Sequence, residues 1–351
     1  MERLILQRLA NQRLLRSTVS DAPAVVAWLG AVQAQDFGGA KWSLGQRTTG
    51  VTAGEIDLAF NAGAILRTHL LRSTWHFVTP ADIGWMLTLT APRVQQALAH
   101  AFRQFELDSR TLSRARTLIA KALEGGASLT RAELASALRR GGVAATGARL
   151  GLLTIDVEVN QVMCSGPLRG RQFTYARWDT RVPRSKSLPK EEALAALTHR
   201  YFASRGPATM KDFSWWSGLT IRDVKIGIEL VGQALERERL DDVEYWSVPA
   251  NATARPRVSL AHLLPTYDEY LIGYKDRDVI GSSRFAMRSQ FTNHLAIDGW
   301  IAGTWRTTAS KAGLAIETQV QRRVGSAERG ALERTAQRYG AFLEGPVTLR
   351  D

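Results

Sequence analysis

The chain has 351 residues, enough for about two to four domains, and its 45% apolar share is ordinary for a protein with buried cores. Lys and Arg outnumber Asp and Glu by 46 to 33, a net charge of +13; a chain this basic often meets a polyanion, the other reading being arginines scattered over solvated faces. A lone cysteine, Cys164, excludes an internal disulfide and a cysteine-rich zinc site. No apolar run approaches the ~18 residues of a membrane span.

The N-terminus, Met1 to Arg8, lacks a continuous apolar leader segment, so a cytoplasmic protein is expected. Leu4, Ile5 and Leu9 predict a first helix and Leu14-Leu15 a short loop after it. Ser20-Asp21-Ala22-Pro23 starts the next helix. Val25, Trp28, Leu29 and Val32 fall at helical spacing, so this helix is expected to reach Val32, loosen near Ala34 and end at Gly38-Gly39. Gln33 and Gln35 follow its apolar stripe. Residues two apart share a face only in an extended segment. The alternative is that one glutamine caps the helix and the other is solvated.

Thr52 to Glu55 reads as a capping box. Leu66 to Val78 predicts a hairpin beside the glutamines. Thr79 to Asp82 caps a further helix, and Pro92 starts or kinks the next. Helices followed by a short hairpin is the order of a winged-helix module. The pattern returns with a helix over 112–123, a capping box at Thr130 to Glu133, a helix through Leu150, Leu153 and Val157, and the basic turn Arg169-Gly170-Arg171. Arg181 to Lys190 reads as a linker. A third unit follows, with Thr209/Asp212 and Thr220/Asp223 opening two helices and a strand over 243–248.

From Arg257 onward short strands dominate: Val258–Leu260, Tyr270–Tyr274, His294–Ile297, Trp300–Trp305 and Ile316–Val320. Asp298-Gly299 joins two of them as a two-residue hairpin turn. A helix over 327–343 closes the chain on a small barrel or curled sheet.

No H-E-x-x-H, C-x-x-C, P-loop or G-x-S-x-G is present, so metal chemistry and a serine nucleophile have no motif here. His199 reads as a partly buried packing residue. In Tyr267-Asp268-Glu269-Tyr270 the acids read as loop holders or partners of Lys275 and Arg277. Trp215-Trp216 is either a core cluster or a stacking pair for bases. Lys41, Arg67, Arg72, Arg169, Arg171 and Arg306 sit at predicted turns or strand edges, positions from which cations reach phosphates.

The ordered set Asn11 to Leu15, Ala31-Val32-Gln33-Ala34-Gln35, Leu66 to Val78, Asp212 to Leu219, Leu264 to Arg277 and Asp298 to Arg306 resembles winged-helix DNA glycosylases of the AlkZ/AlkX (YcaQ-like) type. The resemblance implies an α+β fold of three tandem winged-helix domains and a C-terminal β-barrel, C-shaped around a basic channel. Mapped here, these are 1–107, 108–182, 183–252 and 253–351. It further implies a monofunctional glycosylase, without metal or cofactor, that excises N7- or N3-alkylated purines or unhooks interstrand crosslinks. Duplex DNA is its partner and a monomer its expected state. Gln33 and Gln35 match the family's Gln-x-Gln motif and become the expected catalytic pair. Lys41, Arg67, Arg72, His76, Arg169, Arg171, Lys275 and Arg306 become the expected DNA contacts. A non-catalytic winged-helix DNA-binding or regulatory protein is the alternative.

Overall fold

The structure is a computed structural model that describes residues 1–184, 188–249, 256–281, 292–310, 313–320 and 322–350; the middle of the expected linker, 185–187, lies outside them. Helices and four sheets mix along the chain in an α+β architecture.

Local chemistry sets most helix starts. Thr52, Thr130, Thr209 and Thr220 each accept the backbone N–H three residues on, and the acids Glu55, Glu133, Asp212 and Asp223 each return to the threonine's own N–H. Every one of these reciprocal pairs satisfies two backbone donors that the first helical turn leaves open.

The first sheet has the order β1-β3-β2, with β1 at Val32–Gln33, β2 at Leu66–Leu70 and β3 at Thr74–Val78. The second has the order β4-β6-β5, from Ser128–Thr130, Met163–Ser165 and Thr174–Arg177. The third pairs β7 (Glu236–Leu240) with β8 (Val243–Ser247). The fourth is a curled, five-stranded half-barrel ordered β13-β12-β11-β10-β9. Its strands are β9 (Ala261–Leu264), β10 (Asn293–Ile297), β11 (Trp300–Ser310), β12 (Gly313–Val320) and β13 (Val347–Arg350). Asp298 and Gly299 turn at φ of 50° and 84°, the left-handed pair that a tight hairpin between β10 and β11 requires. The helix Ser326–Leu343 packs against this sheet.

Several expectations are corrected. The helix from Ala22 stops at Leu29, where Gly30 turns to φ 78°, and Val32-Gln33 is strand. Gly38-Gly39 does not end a helix but lies in the first turn of Phe37–Gly45. Pro80–Gln104 is one helix through Pro92; Ile83, Met86, Leu87 and Val94 are buried on both sides of the proline, and that packing outweighs one missing hydrogen bond. Glu269–Ile272 is a short helix capped by Asp268, not a strand, and the strand expected at Val258–Leu260 begins instead at Ala261.

The glutamine-bearing sheet is sandwiched. Ala31, Leu66, Leu70 and Val78 face a core with Tyr201, Phe202, Phe213 and Trp216. Val32, Ile65 and Phe77 face a second core with Leu263, Leu295 and Trp305 of the C-terminal unit. Leu107 to Tyr175 builds a core of its own. Ile5 and Leu9 of the first helix pack with Leu264, Tyr270 and Ile301, so the chain's start is welded to its C-terminal sheet.

Candidate active site

Once Gly30 has broken the helix, the chain runs extended and pairs with β3, Val32 opposite Phe77 and Gln33 opposite His76. The Ala34 N–H donates to the Trp75 carbonyl at 2.7 Å, and Arg67 Nε donates to the Ala34 carbonyl at 3.0 Å. Gln33 ends this strand, and Gln35 lies two residues on in the bend that leads to the next helix. Gln33 is only 6% exposed, yet its side-chain amide has no hydrogen-bond partner among the described residues. Gln35 is exposed, and its Oε1 accepts a long bond of 3.4 Å from the Trp75 N–H. Asp36 then heads the next helix, and a Cβ at Gly39 would stand 2.7 Å from Asp36 Oδ2 and 3.0 Å from Pro265 Cβ. Glycine lets these groups approach closely.

The backbone of this strand is held from below by an ion pair. Glu269 Oε1 accepts the Gln33 N–H at 2.8 Å. Glu269 Oε2 accepts from Arg205 Nη2 at 2.6 Å and from the Trp216 indole N–H at 3.0 Å. Arg205 also donates to the carbonyls of Leu29 at 2.7 Å and Ala31 at 3.0 Å, spanning the Gly30 break. Both partners are wholly buried. Gln12 donates to the Glu269 carbonyl and to the Tyr274 hydroxyl, which adds the first helix to the same network.

The expected DNA contacts fall into separate groups. His76 is wholly buried and cannot touch a phosphate. Burial drives its pKa down to about 3, with Arg72 and Arg205 pushing the same way against its bond to the Thr74 carbonyl. It is a neutral ring beside Gln33, with Nε2 unpartnered. Arg67 is likewise buried, its guanidinium 4.1 Å from the Trp75 ring and 4.6 Å from Phe173. Desolvation lowers its pKa to about 10, against the pull of Glu158. Lys41 is tied to Asp57 at 2.7 Å, and Arg306 to Glu317 at 2.6 Å. Arg169 pairs with Glu133 at 2.8 Å beside the exposed Arg171 in the turn before β6. Arg72 and Lys275 both line a cleft beyond the hairpin tip.

Sequence reasoning missed the clamp. The Tyr267–Tyr270 acids do not meet Lys275 or Arg277: Asp268 pairs with Arg47 at 2.6 Å and Glu269 with Arg205. The signal was two acids flanked by aromatics, a composition that suits burial as well as a loop. His69 was missed as well. Its Nδ1 contacts Glu158 Oε2, and its ring lies 3.8 Å from that of Trp75. His199 is exposed rather than packed. Among the described residues no trio of His, Cys, Asp or Glu is arranged to hold a metal, and no helix is long and apolar enough to cross a membrane.

Comparison with known proteins identifies the family and the fold. A family model described as DNA glycosylase AlkZ-like matches residues 26–342. An interstrand DNA cross-link repair glycosylase of Streptomyces sahachiroi is 24% identical over 324 residues, 85% of each chain. The solved structure of Streptomyces sahachiroi DNA glycosylase AlkZ superposes with a TM-score of 0.82 at 20% identity, over 99% of this chain and 98% of that one.

Proposed function

The chain belongs to the AlkZ-like DNA glycosylase family, and we propose that it is a monofunctional, monomeric enzyme that excises N7- or N3-alkylated purines from duplex DNA. The name of its Streptomyces sahachiroi relative extends the proposal to interstrand crosslinks. In this reading 1–107, 108–182 and 183–252 are winged helices, which with the C-terminal unit at 253–351 frame a basic channel. The order of helices and small sheets supports it.

The observation that carries the catalytic reading is the uncommitted amide of Gln33. Neither of its amide atoms is sealed from solvent, so its hydrogen-bonding capacity stays open to water or a ligand. Here it stands on a strand fixed by Glu269, Arg205 and β3, with Gln35 two residues on in the bend that follows.

Alkylation at N7 makes the purine cationic and a good leaving group, so the glycosidic bond breaks toward an oxocarbenium-like sugar. An amide carbonyl oxygen facing that sugar stabilises the developing positive charge, and a pair of amides holds a water for attack. Preorganisation matters because the amides need not reorient as charge appears. Glutamine is a weak general base, so the site suits activated leaving groups. Glu269 does not serve as a base: its oxygens are occupied by Gln33, Arg205 and Trp216, and it acts as a positioning residue. No lysine lies in the motif, so the product is an abasic site without strand cleavage. Arg171, Arg169, Arg72 and Lys275 supply phosphate contacts.

The test is release of 7-methylguanine from methylated duplex DNA, with strand breaks only after alkali. No release from any alkylated duplex, with DNA binding retained, returns the protein to the non-catalytic DNA-binding alternative.

A further inference from the structure

Adjacent tryptophans meet opposite fates. Trp216 is 1% exposed and bonded to Glu269; Trp215 is 41% exposed. The Arg72 guanidinium lies over the Trp215 ring, 4.6 Å from its centroid. Arg72 is presented by a strained turn, with Leu71 and Ser73 on either side at φ of 57° and 61°. Gly218, at φ 74°, lets the Trp215 helix end against that turn; a Cβ there would be 3.3 Å from the Leu71 carbonyl oxygen.

Trp215 borders a cleft of about 560 Å³ lined also by Arg72, Arg93, Lys211 and Lys275, with no carboxylate in its wall. None of these four cations is paired with an acid among the described residues; Arg93 is engaged by the Gly218 carbonyl and Gln96. Ile221, 42% exposed, completes an apolar patch beside the indole. Four like charges in one cleft call for an anion. The bare indole calls for a flat apolar partner. A nucleotide carries both, whereas an acidic peptide would occupy the cations and leave the ring bare. The cleft begins at Arg72 in the hairpin turn, three residues before Trp75, whose N–H meets Gln35.

We propose that this cleft is a second nucleotide subsite, in which Trp215 stacks on an unpaired base and Arg72, Lys211 and Lys275 hold the flanking phosphates. It rests on the DNA reading above and adds to it a way of gripping a base displaced near the lesion. Stacking on an aromatic tolerates any base, so the preference it creates is for unpaired DNA and not for a sequence.

The experiment measures affinity for a fully paired duplex and for the same duplex with one bulged nucleotide. Wild type is expected to bind the bulged duplex about tenfold more tightly. Trp215→Ala should erase that preference and keep salt-sensitive binding to paired DNA, while Trp215→Phe, which retains a ring, should keep the preference. Lys211→Ala with Lys275→Ala should weaken the bulged duplex more than the paired one, since both lysines line the cleft that takes the unpaired nucleotide. Equal affinity of wild type for the two duplexes, or a preference that survives Trp215→Ala, overturns the subsite. Failure of wild type to bind either duplex at low salt overturns the DNA reading instead.

Discussion

Glu269 Oε1 accepts the backbone N–H of Gln33 at 2.8 Å across 236 positions of sequence. The bond ties the glutamine strand to the C-terminal unit, and Arg205 closes the tie from the third helical unit. The site is therefore assembled by three distant stretches of chain.

Removing one partner of a buried pair leaves the other charged and unsolvated. Glu269→Ala is expected to destabilise the fold by about 3–5 kcal/mol. Glu269→Gln, which keeps an acceptor for the Gln33 N–H, should cost less. Urea denaturation decides this, and an Ala variant with a wild-type midpoint would show that the pair is no clamp.

Loss of one preorganised polar contact in a transition state costs on the order of 3 kcal/mol, or about a hundredfold in rate. Gln35→Ala should accordingly slow single-turnover excision about a hundredfold with DNA affinity nearly intact, because a neutral side chain adds little to phosphate binding. Gln33→Ala should behave alike. Wild-type excision in both variants removes the motif from the mechanism.

Binding should fall steeply with salt if, as proposed, cations of this chain of net charge +13 contact phosphates. Arg171→Ala should lower the slope of log affinity against log salt by about one and weaken all duplexes equally. Arg169 must first leave Glu133, so Arg169→Ala should cost less than Arg171→Ala. The slope is read by titration at several salt concentrations; binding that scarcely changes with salt contradicts this account.

Burial holds His76 at a pKa of about 3 and His262 and His294 at about 4, against about 6.5 in an unfolded chain. As pH falls below that value the unfolded state takes up protons that the fold refuses. Stability is therefore full above pH ~6.5 and is lost as pH drops toward 4, by up to about 1.4 kcal/mol per unit for each ring. Urea midpoints should decline between pH 7 and pH 5, and His76→Gln should make the decline shallower. A flat profile over that window would show that these rings titrate normally in the fold.

What the sequence determined by itself was chemistry that closes within a few residues. Thr52 with Glu55, or Asp298 with Gly299, complete their hydrogen bonds or their turn locally, so no distant partner can veto them. The motif Gln33-Ala34-Gln35 was legible as residues but not as a strand. Ala31 and Val32 are buried in different cores on opposite faces of one sheet, and a short run apolar on both sides carries neither the period of a helix nor that of a strand. Only β3, more than forty residues on, decides for strand by pairing with it. Pro92 stayed inside its helix, and Glu269 found Arg205 rather than the neighbouring Lys275, for the same reason: burial against distant segments supplies more free energy than a single local preference. The tertiary structure alone decided that Trp216 would become core and Trp215 surface. Adjacent side chains on a helix diverge by about 100°, and only the neighbouring elements determine which of the two directions is covered.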